Sequence, residues 1–128
     1  VPISGAVIVS TPQDIALADV KKGIHMFKMP NINVPILGVV ENMSYFTPAE
    51  LPDNKYYIFG KSGAKDLADR MNIDYLAEVP IVQSIREAGD AGRPAVLQET
   101  TPQAIAFNSL ATKVAQKAGL TSPKVVEN

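Results

Sequence analysis

Apolar and polar positions follow two rhythms along this chain, and the rhythm changes at glycines and prolines. Gly5-Ala6-Val7-Ile8-Val9-Ser10 is a short, nearly unbroken apolar run, which predicts a strand covered on both faces. Thr11-Pro12-Gln13-Asp14 predicts a helix start, with Thr11 as N-cap, Pro12 at the first helical position and Asp14 at the positive end of the dipole. Leu17, Val20, Ile24 and Phe27 then recur at three- and four-residue steps, the stripe of a core-facing helix. Lys21, His25 and Lys28 mark its wet side, and Pro30 ends it. The second apolar run, Val34–Val40, closes on the polar pair Glu41-Asn42. Strand, helix and strand with so little chain between them form a βαβ unit, which makes the strands parallel and the crossover right-handed.

Met43–Tyr57 has neither rhythm and carries Pro48 and Pro52, so it predicts a long loop; loops of this length in a compact domain are usually functional or mobile. Ala64, Leu67, Ala68 and Met71 predict a second helix capped by Ser62, and Tyr75–Val79 a third strand ending at Pro80. Gln83–Ala88 reads as one or two helical turns broken by Gly89 and Gly92. Thr101-Pro102-Gln103 opens a last helix whose Phe107, Leu110, Ala111, Val114 and Ala118 share a face, and Gly119 closes it. The tripeptide Thr-Pro-Gln thus opens both the first and the last helix. The flanking strands do not repeat, so shared cap chemistry explains the echo better than duplication.

Composition narrows the function classes. With 128 residues the chain has the length of one domain with a core. A formal charge of -1 leaves no chain-wide basic field for nucleic acid or anionic lipid. The absence of cysteine excludes disulfides, thiolate metal ligands and thiol nucleophiles from this chain. No apolar run approaches the roughly 20 residues that cross a bilayer, and Val1–Ser10 lacks the basic start and cleavage site of a signal peptide.

Several residue sets invite chemical readings. Gly60-Lys61-Ser62 before a helix resembles the end of a phosphate-binding loop, but the first glycine of that motif would fall on Lys55, and Tyr56-Tyr57-Ile58-Phe59 is too bulky for a backbone nest. A plain helix start explains it. His25 has no second ligand at metal spacing, and the pairs Asp66/Asp69 and Glu87/Asp90 have Lys65, Arg70 and Arg86 beside them to balance their charge. Glu41-Asn42 is better placed. Open α/β sheets bind ligands at the carboxyl ends of their strands, and an asparagine amide offers the donor and acceptor that a purine edge can match.

Four segments carry a resemblance: GAVIVSTPQDIALAD at 5–19, VVENMSYF at 39–46, IFGKSGA at 58–64 and EVPIVQSIREAGDAGRP at 78–94. In this order and spacing they resemble the C-terminal half of the Mrp/ApbC-type ATPases, P-loop proteins of the MinD/ParA group regarded as Fe–S cluster carriers or scaffolds. The likeness covers most of residues 3–118. It implies an α/β fold, a partial three-layer P-loop NTPase arrangement with a mainly parallel sheet flanked by helices, over residues 1–120, followed by a polar tail at 121–128. By position, Asn42 resembles the asparagine that reads the adenine ring. Pro80 and Ile81 resemble the segment bordering that ring, and the Arg86–Arg93 turn the loop that closes over it. Thr11, Pro12 and Gln13 resemble a stretch near the subunit interface of a nucleotide-bound homodimer.

Three departures shape what the resemblance implies. The Walker A loop and the acidic Walker B strand, which precede the strand that begins here at Gly5, do not occur in this chain, so the chain reads as a fragment and is expected not to hydrolyse ATP alone. Where relatives carry Cys-x-x-Cys after Tyr-Phe, this chain has Thr47–Asn54 without cysteine, which argues against cluster ligation by its own side chains. The aspartate that usually follows Pro-Ile is Val82. The resemblance therefore implies ATP and magnesium in the full-length protein, a homodimer, Fe–S apo-proteins as partners and a cytoplasmic setting, with no nucleic acid and no membrane. Two other readings stay open: a MinD/ParA-type partner-binding switch that carries no cluster, and a stand-alone, non-enzymatic α/β interaction domain.

Overall fold

The computed structural model describes residues 2–119; the tail expected at 121–128 lies outside the described residues. Three strands, β1 (Ala6–Ser10), β2 (Ile36–Glu41) and β3 (Tyr75–Glu78), form one parallel sheet in the order β1-β2-β3. Helix α1 (Asp14–Lys28) links the first two strands and α2 (Gly63–Arg70) precedes the third. Two successive crossovers stepping in the same direction place their helices on the same face. Helix α3 (Gln83–Asp90), a 3-10 turn at Ala95–Leu97 and α4 (Pro102–Lys117) complete the order.

The hydrophobic positions divide between the two faces. Leu17, Val20 and Ile24 of α1 meet Val39 of β2 and Ala64, Leu67 and Ala68 of α2 in one cluster. On the other side Val40, Leu76 and Val79 pack against Ile85, Phe107, Leu110 and Val114. Val39 and Val40 are both buried yet belong to different clusters, as the two-residue period of a strand requires. The result is a three-layer α/β/α arrangement. Each fully buried large side chain, Ile24, Leu67 or Leu76, contributes about 1.5–3 kcal/mol relative to exposure.

The expected elements are all present, with four adjustments. β1 is an outer strand and Val9 is 59% exposed, so it is not covered on both faces. Helix α1 starts at Asp14 with Gln13 as N-cap, two residues later than expected, and Thr11 instead donates to the Gln13 side chain at 3.0 Å. Ser62 does stand at the N-cap of α2, but with φ of +60° and no side-chain cap bond. Helix α3 passes through Gly89 to Asp90, braced by Gln83–Glu87 and Arg86–Asp90 contacts at 2.6 and 2.8 Å. It stops at Gly92 (φ +70°), where the Gly92 and Arg93 amides donate to the carbonyls of Gly89 and Ala88 in a Schellman closure.

Candidate functional site

All three strands deliver their carboxyl ends to one edge, where Thr11, Asn42 and Pro80-Ile81 follow them. Ser10 pairs with Glu41 and Glu41 with Glu78 in the ladder. Beyond the ladder, the Asn42 amide donates to the Ser10 carbonyl at 2.7 Å, and the Ser44 amide donates to Val79 at 3.0 Å. The Ile81 amide then donates to Tyr45 at 2.8 Å, which joins the chain after β2 to the chain after β3. Asn42 and Pro80-Ile81 therefore leave the sheet side by side at the same end. Pro80 is buried and Asn42 and Ile81 are partly exposed.

The end of β1 joins this assembly through α2. Pro12 is buried, and its carbonyl lies so close to Gly63 that a Cβ there would stand 2.3 Å from the oxygen. Only glycine permits that approach. Of the residues on either side of Pro12, Thr11 is partly exposed and Gln13 is exposed. The Gly60-Lys61-Ser62 segment thus serves as the packing partner of the β1 exit. Lys61 lies over the Tyr57 ring at 4.9 Å.

Glu41 organises the centre and was not anticipated as a binding group in its own right. Its side chain is buried at 1% exposure; one carboxylate oxygen accepts from the Ala64 amide at 2.9 Å and the other from the Ser44 hydroxyl at 2.5 Å. Nearby, Glu78 pairs with Lys55 at 3.8 Å, and Lys55 lies 4.3 Å from the centre of the Tyr45 ring. The Tyr75 hydroxyl is held well above its ordinary pKa, first by burial and then by the charges of Glu41 and Glu78.

Two of the clefts among the described residues involve the segments expected to border a nucleotide; a larger one, about 690 Å³, runs along Tyr45, Ser62, Tyr75 and Glu78. Pro80 and Ile81 line one of about 380 Å³ together with Tyr45, Pro48, Pro52 and Gln103. Asn42 does not line it. The other, about 390 Å³, lies between α3 and the following 3-10 turn and includes Arg93, Pro94 and Gln98. The segment expected as a closing loop at Arg86–Arg93 is thus mostly helix, and Arg86 is occupied by Asp90. Behind both clefts the buried Gln103 amide donates to Ser84 at 2.9 Å and to Gln98 at 2.7 Å, tying α4 to α3 and the 3-10 turn. A glutamine after Thr-Pro reads as helix surface, so no local signal marks this role.

Among the described residues no cluster of three or more His, Cys, Asp or Glu is arranged to hold a metal ion. No helix among them is long and apolar enough to cross a membrane.

Residues 1–115 match the ParA family model, described as the NUBPL iron-transfer P-loop NTPase. The chain is 50% identical over 115 residues to the iron-sulfur cluster transfer protein NUBPL of Dictyostelium discoideum, covering 89% of this chain and 35% of that protein. It is 42% identical over 123 residues to an iron-sulfur cluster carrier protein of Synechocystis, covering 95% of this chain and 34% of that protein. The chain thus spans about a third of the length of these relatives. Among solved structures it is similar to a nucleotide-binding protein from Archaeoglobus fulgidus in complex with ADP, with TM-score 0.64, 36% identity and coverage of 81% of this chain and 40% of the other. It is also similar to the septum site-determining protein MinD of Pyrococcus horikoshii complexed with Mg-ADP, with TM-score 0.66, 26% identity and coverage of 94% and 44%.

Proposed function

Because the chain belongs to the ParA family of P-loop NTPases, we propose that it forms the base-recognising side of an ATP site in a protein that carries or transfers iron–sulfur clusters. In this reading the Asn42 amide matches the edge of adenine with one donor and one acceptor, and Pro80 and Ile81 border the ring. Thr11 and Gln13, exposed beside the buried Pro12, face a second subunit of a nucleotide-bound homodimer. Magnesium and the phosphates are held by parts of the protein outside this chain. The single observation that supports the reading most is the junction of Asn42 with Pro80-Ile81 at one sheet edge, through the Ser44–Val79 and Ile81–Tyr45 hydrogen bonds. Fe–S apo-proteins are the partners that the names of the relatives point to. The setting is cytoplasmic, and recovery of the protein in a membrane pellet overturns that part.

Calorimetry on the full-length protein tests the base side. Asn42→Ala should weaken ATP binding about tenfold, the loss of one good hydrogen-bonded contact, and leave binding of inorganic tripolyphosphate unchanged. Equal loss of both ligands, or of neither, overturns the assignment. The 128-residue chain alone should show no magnesium-dependent ATP turnover and bind ATP at about millimolar level or weaker, since it lacks the phosphate contacts.

The lack of any cysteine favours a second reading, a partner-binding ATPase switch that carries no cluster. Anaerobic reconstitution of the full-length protein separates the two: a transferable cluster supports the carrier, and its absence supports the switch.

A further inference from the structure

The carboxylate of Glu41 stands out because it is buried without a cation. None of the ion pairs among the described residues includes it. Burying a charged carboxylate is costly unless its oxygens are fully engaged. Here each oxygen accepts one hydrogen bond, from the Ala64 amide and from the Ser44 hydroxyl. Ser44 also lies 3.4 Å from Glu78, but a hydroxyl has one proton to give, and the 2.5 Å contact identifies Glu41 as its acceptor.

This arrangement brackets Asn42. The residue before it is fixed by its own carbonyl, which accepts from Val79 at 2.8 Å, and by its buried carboxylate. Two residues after it, Ser44 is fixed by Val79 through its backbone and by Glu41 through its side chain. Between them Met43 adopts φ of +53°, a conformation that a non-glycine residue keeps only when its surroundings enforce it. The Glu41–Ser44 bond closes this turn on itself, and the Glu41–Ala64 bond anchors it to the first turn of α2, where Ser62 makes no cap of its own.

We propose that Glu41 is a positioning residue for base recognition: its carboxylate locks the Asn42–Ser44 turn to α2 and so sets where the Asn42 amide meets the nucleobase. The inference rests on the ATP reading above. Without the carboxylate, Ser44 and the Ala64 amide lose their partner, Met43 relaxes from its left-handed conformation, and Asn42 turns with it. A glutamine at 41 would keep an acceptor for Ala64 and offer its own amide to the Ser44 oxygen.

The readout is base selectivity, because guanine presents the reverse donor and acceptor order along the same edge. In the full-length protein, dissociation constants for ATP and GTP are measured for the wild type and for Glu41→Ala, Glu41→Gln, Ser44→Ala and Asn42→Ala. Glu41→Ala should shrink the ATP preference about tenfold, Ser44→Ala about threefold, and Glu41→Gln by less than about twofold, in line with the loss of two, one and no hydrogen bonds. If Glu41→Ala does not fold, Ser44→Ala carries the test. A purely structural role weakens both nucleotides equally. An unchanged ATP to GTP ratio in a folded Glu41→Ala or Ser44→Ala protein, alongside a lost preference in Asn42→Ala, overturns the proposal and leaves the ATP reading intact. An unchanged ratio in Asn42→Ala overturns the ATP reading itself.

Discussion

The same tripeptide, Thr-Pro-Gln, stands at the start of both long helices, and the fold uses the two copies in opposite ways. At 101–103 it acts locally. Thr101 is the N-cap of α4 and accepts from the Ala104 amide at 3.3 Å, Pro102 takes the first helical position, and Gln103 turns inward to Ser84 and Gln98. At 11–13 the roles are displaced. Thr11 makes no cap, Gln13 is exposed, and Pro12 is the inward residue, pressed against Gly63 of another helix. The local chemistry is equal in both places; what differs is the neighbour. A helix start has several nearly equivalent settings separated by a residue or two, and a close tertiary contact is enough to choose among them.

That contrast is open to direct attack. The largest effect is expected at Gly63→Ala, whose new Cβ would collide with the Pro12 carbonyl: a loss of about 3 kcal/mol by urea denaturation, the range of overpacking. A loss below about 0.5 kcal/mol would show that the β1 exit yields freely. Next comes Gln103→Ala, about 2 kcal/mol, because it removes the two hydrogen bonds by which this buried amide ties α4 to the half-buried Ser84 and Gln98. Gln13→Ala, its counterpart at the other copy, should cost less than about 0.5 kcal/mol, as exposed sites do. The smallest pair sharpens the comparison most: Thr101→Ala should cost about 1 kcal/mol as a lost cap, and Thr11→Ala about a quarter of that. Equal costs at 11 and 101 would mean that both threonines cap in solution.

The alternation of apolar runs and helical stripes revealed the parallel unit of β1, α1 and β2 and the presence of α2 and β3, because buried strands and amphipathic helices write their burial into local spacing; the order β1-β2-β3 is written in no such spacing. Asn42 was legible as a strand-end residue for the same reason, whereas its pairing with Pro80 came only from the family resemblance, because it depends on β2 and β3 lying side by side. Gly89 misled because glycine only weakens a helix, whereas Gly92 ends one by supplying the left-handed residue that closes the Schellman turn. The exposure of Val9 was hidden because an outer strand and a central strand can carry the same apolar run. The links from Glu41 to Ala64 and from Gln103 to Ser84 join residues 23 and 19 positions apart, and no periodicity within either element encodes such a partner.

The bond from Glu41 to Ala64 also bears on how the molecule assembles. A helix of eight residues is too short to persist in water by itself, and α2 borrows the acceptor for its opening turn from a strand that was completed before the intervening loop began. Its nucleation therefore waits on the docking of β2. In native-state hydrogen exchange the Ala64 amide should open together with the amides of Val39 and Val40, in a single cooperative unit, and not with the fraying ends of the other helices.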